Sequence, residues 1–289
     1  MREAGNSPRA GRLTWYTAAG STFAMPTITA ISNDIDLVAA DVGQLLVRHN
    51  DVGVGETIRR IGIWAAADVQ VFSRLVKPGM FVVDVGANLG HHTVLFSRLV
   101  GSDGAVVGFE PQENLFRLLN ANLALNGCDN ARAFREALGA APADVFLWAV
   151  DYDKPDNFGA VPIAQHAGQF VYDQGGGEPA HIATGDQSLA PYRARGRVVD
   201  FIKIDVQAFE LYVLQGCARI LAEDRPTIFL EMSPYWMNRM GYDYQEIFTL
   251  LEARGYMLVD PHGDQKTRST RRWTGEENDE WDLLCLPSN

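Results

Sequence analysis

The stretch FVVDVGANLGHHT, residues 81–93, decides how the whole chain reads. The short apolar run from Phe81 to Val85 has the character of a strand buried on both faces, as in a parallel sheet. It breaks into Gly86-Ala87-Asn88-Leu89-Gly90, and the pattern then restarts as a helix at HHTVLFSRLV. Glycines at both ends of such a turn permit unusual backbone angles and let a ligand approach the main chain closely. In doubly wound sheets the ligand lies at the carboxyl ends of the strands, where strand order reverses, so this turn is a candidate binding loop.

Working outward, strand and helix patterns alternate. IRRIGIWAAADVQVFSRLV (residues 58–76) reads as one amphipathic helix ended by Lys77-Pro78-Gly79. AVVGFE (105–110) is strand-like, and Leu115, Leu119 and Leu123 fall at helical spacing within ENLFRLLNANLAL (113–125). ARAFREALG (131–139), VFLWAV (145–150), VVDFIKIDV (198–206), PTIFLEM (226–232), YMLVD (256–260) and EWDLLCLP (280–287) read as strands. A helix carrying Leu211, Leu214, Ala218 and Leu221 on one face follows the third of these, and YQEIFTLLEARG (244–255) is another helix. The alternation predicts an α/β domain, a mostly parallel sheet with helices on both faces. Residues 1–53 read as an N-terminal extension whose first two dozen residues are mobile. The main domain spans 54–289, with an irregular insert at 151–196 rich in Gly, Pro, Asp and Gln. A patternless segment of that length inside a compact domain is usually functional or disordered.

Composition narrows the partners. A chain of 289 residues, 47% hydrophobic, is long enough to bury a sizeable core. Its formal net charge of −11 argues against nucleic acid and anionic membranes, which call for a basic face. RSTRRW (268–273) comes closest to a basic cluster and reads as a solvated loop. Cys128, Cys217 and Cys285 lie far apart without CxxC spacing, so buried free thiols in a reducing, cytoplasmic setting are expected. No apolar run is long enough for a membrane span, and the first residues lack the apolar centre of a signal peptide. Oligomeric state is left open.

Glu110 stands twenty residues after Gly90, at the end of the second strand. An acid there accepts hydrogen bonds from both ribose hydroxyls of an adenosine. A dinucleotide loop would read GxGxxG and aim a helix N-terminus at a pyrophosphate. Here Asp84 opens the loop; it would oppose a diphosphate and suits a ligand bearing an ammonium. S-adenosylmethionine has adenosine, an ammonium and no phosphate, and is favoured over NAD.

The segment VVDVGANLGHHTVLFSRLVGSDGAVVGFEP (82–111) is similar to the cofactor-binding core of the FkbM family of methyltransferases. FIKIDVQAFELYVLQG (201–216) resembles that family's second hallmark, and the likeness runs from about residue 54 to 286. The resemblance implies the class I methyltransferase fold, Rossmann-like with a seven-stranded sheet. It also implies O-methyl transfer to hydroxyls of sugars or of glycosylated and polyketide natural products. By position it puts Asp84, Gly86, Ala87, Asn88 and Gly90 at the methionine end, Glu110 on the ribose, and Pro111, Glu136 and Ala137 towards the adenine.

Asp205 and Glu231 fall at the carboxyl ends of neighbouring predicted strands. Two converging carboxylates either take the proton of an attacking hydroxyl or share a divalent ion such as magnesium that orients it. The competing expectation is that Asp205 merely caps the next helix. Where relatives commonly carry Glu-Gly, this chain has Gln207-Ala208, which weakens the case for a metal and leaves Glu210 as a solvated or helix-stabilising acid. His91 and His92 read as packing or capping groups. Asn157, in the turn Asp156-Asn157-Phe158-Gly159, and the pair Tyr235 and Trp236 are candidate acceptor contacts. The resulting expectation is a methyltransferase acting on a small-molecule or glycan hydroxyl. N-methylation, or a catalytically silent protein that binds S-adenosylmethionine, are the alternatives.

Overall fold

The computed structural model describes residues 25–161, 163, 165–166, 169–170, 177–263 and 271–288. The N-terminal two dozen residues and part of RSTRRW, read above as mobile and as a solvated loop, lie outside them. Beyond residue 25 the chain forms an antiparallel meander of β1 (Ile28–Ala30), β2 (Ile35–Ala40) and β3 (Gly43–Arg48), joined at the second turn by Asp41 and Val42 alone. The single helix expected over 58–76 is two helices, α1 (Val54–Ile61) and α2 (Ala66–Leu75). Gly62 ends the first in a left-handed conformation, φ 76°, and Ala65 at φ 46° starts the second in a new direction.

The alternation then proceeds through β4 (Phe81–Val85), α3 (His91–Val100), β5 (Ala105–Phe109), α4 (Glu113–Leu125) and β6 (Ala131–Phe134). The strand expected over 131–139 is split, because β7 (Ala137–Leu138) leaves the main sheet for a smaller one. That smaller sheet pairs β7 and β8 (Ala143–Leu147) with β11 (Glu178–Ala183), after the short hairpin of β9 (Gln165–His166) and β10 (Gln169–Phe170). The segment 151–196 therefore contains a six-residue strand and two one-turn helices, α5 (Gly185–Ser188) and α6 (Ala190–Arg193). Alternation resumes with β12 (Phe201–Ile204), α7 (Glu210–Gly216) and α8 (Ala218–Glu223), the last two divided at Cys217 where one helix was expected. After β13 (Thr227–Met232) come α9 (Pro234–Arg239), α10 (Tyr244–Glu252), β14 (Tyr256–Val259) and β15 (Trp281–Pro287).

The seven-stranded sheet has the order β14-β15-β13-β12-β4-β5-β6, and β15 runs against both of its neighbours. All five residues of β4 are buried because helical layers cover both faces. Phe81, Val83 and Val85 feed the core shared with α7, α8 and α10, while Val82 faces the core of α1 to α4. This is the class I methyltransferase architecture. Cys128, Cys217 and Cys285 are buried free thiols, and among the described residues no helix is long and apolar enough to cross a membrane.

The meander is fastened to the domain by two asparagines four residues apart, one on α4 and one capping its C-terminus. Asn122, fully buried, accepts from Leu46 N (2.7 Å) and donates to Leu46 O (3.1 Å) and Leu89 O (2.8 Å). Asn126 does the same for Gln44, accepting from its N at 3.1 Å and donating to its O at 2.7 Å. Residues two apart on a strand present the same edge, and a helix's i, i+4 repeat matches that step. The amides thus complete the edge of β3 that β2 leaves open. Replacing Asn122 by Ala leaves three backbone groups without their partner, one of them buried, and should cost about 1–3 kcal/mol in urea unfolding. The exposed Asn120→Ala should cost less than about 0.5 kcal/mol. A loss at Asn122 no larger than at Asn120 would mean that other contacts, Asn126 among them, hold the meander.

Candidate active site

Strand order reverses between β4 and β12: the chain moves from β4 outward to β6, then begins again on the other side at β12. The crevice above their carboxyl ends is where such sheets take ligands. Gly86, at φ 77°, turns the chain away from β4, and it and Ala87 donate to Phe109 O at 3.0 and 2.9 Å. A Cβ on Gly86 would lie 1.8 Å from the carbonyl oxygen of Asp205, so the loops after β4 and β12 touch only because this residue is glycine. Gly90, at φ 95°, likewise lets α3 start close against Leu119 of α4. Between them Asn88 takes a left-handed conformation, φ 52°, and its Oδ1 accepts from Leu89 N at 2.6 Å.

Asp84 is wholly buried. Thr93 Oγ1 donates to its Oδ2 at 2.6 Å, and its Oδ1 accepts no hydrogen bond among the described residues. Burial raises its pKa, with the Lys203 ammonium, 3.5 Å from Oδ1, acting against that rise. Lys203 is a lone charge in an otherwise apolar strand, FIKI, and that was the signal available in the sequence for a residue not singled out there. Its Nζ donates to Gly86 O at 2.9 Å and lies 3.3 Å from Asp205 Oδ2. Burial works against its charge, but Asp205 and Asp84 outweigh this and hold its pKa above the ordinary lysine value.

Glu110 is buried at the end of β5, accepting from Asn88 N and Gln112 N at 2.9 Å each. Burial pushes its pKa up to about 7 against those two donors. Pro111 follows it, half-buried, at the crevice end of β5. Glu136 lies beyond β6 and accepts from Ser188 Oγ at 3.0 Å, and Ala137 is the buried first residue of β7.

Asp205 does not cap α7, whose first turn lacks a side-chain cap. It directly follows β12, Glu231 lies in the adjacent β13, and the Gln207 amide nitrogen lies between them, 3.4 Å from Asp205 Oδ1 and 3.5 Å from Glu231 Oε2. Gln207 and Ala208 hold this position with successive left-handed angles, φ 54° and 67°. Asp205 above all, then burial and the acids Glu210, Glu280 and Asp282, raise the Glu231 pKa well above that of an ordinary carboxylate. A dication fits poorly between these two acids, because the Lys203 ammonium and the Gln207 amide already face their oxygens. Glu210, expected to be solvated or helix-stabilising, is buried at the start of α7. It accepts from Val206 N at 3.1 Å and Tyr242 OH at 3.4 Å, with its pKa pushed to about 7 by burial.

His91 and His92 are buried. His91 Nε2 lies 3.1 Å from Asp41 Oδ1 and 3.3 Å from Trp64 N, and His92 packs edge-on to Phe72 with its pKa lowered by burial. Asn157 is exposed, accepts from Gly159 N at 3.2 Å, and belongs to a turn whose Gly159 abuts Asn88 of the glycine loop. Tyr235 and Trp236 lie in the first turn of α9, just past β13, with ring centroids 5.2 Å apart and the Arg239 guanidinium 5.7 Å from each ring.

The sequence pattern of the methyltransferase FkbM domain matches residues 84–258, which contain the glycine loop, Glu110, Lys203, Asp205 and Glu231. A probable cobalt-precorrin-6B C(15)-methyltransferase (decarboxylating) from Thermoplasma acidophilum is 29% identical over 109 residues. That alignment takes in 38% of this chain, and the chain spans about half the length of that relative, 46%. Similar solved structures include a methyltransferase FkbM from Methylobacillus flagellatus, 16% identical with a TM-score of 0.43, over 75% of this chain and 49% of that one. Another is fibrillarin from Aeropyrum pernix with natively bound S-adenosyl-L-methionine, 14% identical with a TM-score of 0.45, over 91% and 100% of the two chains. With the FkbM domain covering more than half of its length, the chain belongs to the FkbM family of S-adenosylmethionine-dependent methyltransferases.

Proposed function

We propose that the protein transfers the methyl group of S-adenosylmethionine to a hydroxyl of a small neutral acceptor, a sugar or a glycosylated or polyketide natural product. The observation that supports this reading is the pairing of Asp205 with Glu231 above the strand-order reversal. Repulsion from Asp205 makes Glu231 a stronger base than an ordinary carboxylate, which suits it to take a proton from a weakly acidic hydroxyl. The hydroxyl oxygen attacks the methyl carbon in line, and the carbon–sulfur bond breaks with its electrons passing to sulfur. The products are S-adenosylhomocysteine, the methyl ether and a protonated Glu231. Asp205 orients the hydroxyl, since positioning supplies much of the rate for a poor nucleophile.

In this reading the buried Asp84 supplies negative charge beneath the ammonium of the cofactor, while Gly86, Ala87, Asn88 and Gly90 bring backbone against its methionine end. Glu110 holds the ribose, Pro111, Glu136 and Ala137 border the adenine, and Tyr235 and Trp236 form an apolar wall for the acceptor ring. Asn157 offers its amide from the turn beside Asn88. A second reading, binding of S-adenosylmethionine without turnover, is favoured by Gln207, which leaves the paired acids without a third carboxylate.

Asp205→Asn and Glu231→Gln should each lower turnover at least about 100-fold while S-adenosylhomocysteine affinity stays within about threefold. Transfer of labelled methyl to a panel of glycosides and polyketide alcohols reads this out. Binding by the wild type with no acceptor methylated would favour the second reading. Gly86→Ala drives a methyl group into the Asp205 carbonyl, so it should abolish S-adenosylhomocysteine binding in calorimetry. Retained affinity would mean the loops do not meet as described.

The Glu110 pKa of about 7 sets a pH dependence. The ionised carboxylate accepts from the ribose hydroxyls and the protonated form does so less well, so ligand binding favours loss of the proton. Affinity for S-adenosylhomocysteine should therefore be flat above about pH 7 and fall by up to about tenfold per unit below it. Glu110→Gln should bind more weakly with no such slope; a slope that survives the substitution would assign the titration to another group.

A further inference from the structure

We propose that Asp68, His262 and Asp282 form a binding site for a divalent transition-metal ion of the manganese, iron or zinc kind, separate from the paired acids Asp205 and Glu231. The three residues come from different parts of the fold: α2, the turn after β14, and the start of β15. His262 Nε2 lies 3.2 Å from Asp68 Oδ1 and 3.0 Å from Asp282 Oδ2, and one ligand atom from each residue falls within 4.8 Å of the others. Metal–ligand bonds of about 2.1 Å at right angles separate neighbouring ligand atoms by about 3 Å, the length of the two edges that meet at His262.

The crowding of oxygens on one ring nitrogen is an arrangement that a shared cation satisfies. An imidazole Nε2 carries at most one hydrogen, yet two carboxylate oxygens converge on it. One carboxyl oxygen of Asp68 and one of Asp282 also lie within 4.8 Å of each other, close enough to share a single ion.

The scaffold holds this geometry from outside. Asp260 Oδ1 accepts from His262 N at 2.8 Å, tightening the turn, and Arg74 on α2 donates to Pro261 O at 3.3 Å. The helix that supplies Asp68 thereby also anchors the turn that supplies His262. Side-chain exposures of 17%, 36% and 25% for Asp68, His262 and Asp282 leave the three open to solvent, so exchange and extra oxygen ligands are accessible. One imidazole with two carboxylates selects borderline dications, whereas magnesium prefers oxygen alone. Asp282 is paired with Glu231 across the β13–β15 ladder, which puts this site beside the acids of the crevice.

The test needs neither methyl donor nor acceptor, so its failure is distinct from failure of the proposed reaction. Full-length protein, stripped with a chelator, is titrated calorimetrically with zinc, manganese and magnesium chlorides, next to His262→Ala and Asp68→Asn. S-adenosylhomocysteine binding by each variant serves as the check on folding. The expected result is one equivalent of zinc or manganese bound at micromolar or tighter affinity, with both variants weaker by at least about 100-fold. Zinc or manganese should also raise the wild-type melting temperature and leave those of the variants unchanged. Absence of binding to the wild type would overturn the proposal, as would equal affinity in His262→Ala or a site that prefers magnesium.

Discussion

The Lys203 ammonium lies between β4 and β12, bonded to Gly86 O at 2.9 Å and flanked by Asp205 at 3.3 Å and Asp84 at 3.5 Å. These strands diverge at the point where a doubly wound sheet opens for its ligand, so something must keep their loops in register without filling the gap. A single buried cation shared by two carboxylates does this, and each member depends on the others. Without the lysine, two acids at the strand ends would be left uncompensated, one of them wholly buried. Asp205, fixed by that contact, is in turn the largest influence on Glu231.

The acids around the crevice fall into two groups by burial. Glu110 and Glu210 are both buried, both have pKa values pushed to about 7, and both accept backbone amides from the loop after a neighbouring element. Both shape the loops through these bonds, and in the proposed reading Glu110 also accepts from the ribose. Asp205, one third exposed, and Glu231 face outward at the ends of adjacent strands and have amide or ammonium partners at longer range. A group held by short bonds to main chain is poorly placed to exchange protons with a ligand, whereas a carboxyl raised by a like charge is well placed. The same residue type thus serves two ends, divided by what surrounds it.

Much of this was legible in the sequence because its signals are local. The five-residue run at β4, the glycines after it and the acid closing β5 lie within thirty residues, and their spacing follows from strand–turn–helix geometry. The meander was not read, since β1 is short and exposed and β2 alternates only between buried and half-buried residues. The break between α1 and α2 was hidden because apolar residues continue at helical spacing through Gly62 to Ala65. Asp68, His262 and Asp282 form no motif at all. They meet because β15 inserts between β13 and β14 and brings distant segments to one edge of the crevice.

Asn122 joins more than a helix to a strand edge. One amide nitrogen donates both to Leu46 O in the meander and to Leu89 O in the glycine loop, so the two are coupled through a single side chain. Thermodynamic linkage makes such a coupling reciprocal. Any ligand that holds Leu89 in place would also hold Asn122 against Leu46, and the reverse. With the glycine loop holding the cofactor as proposed, the strands before residue 50 share in that binding equilibrium without touching the crevice.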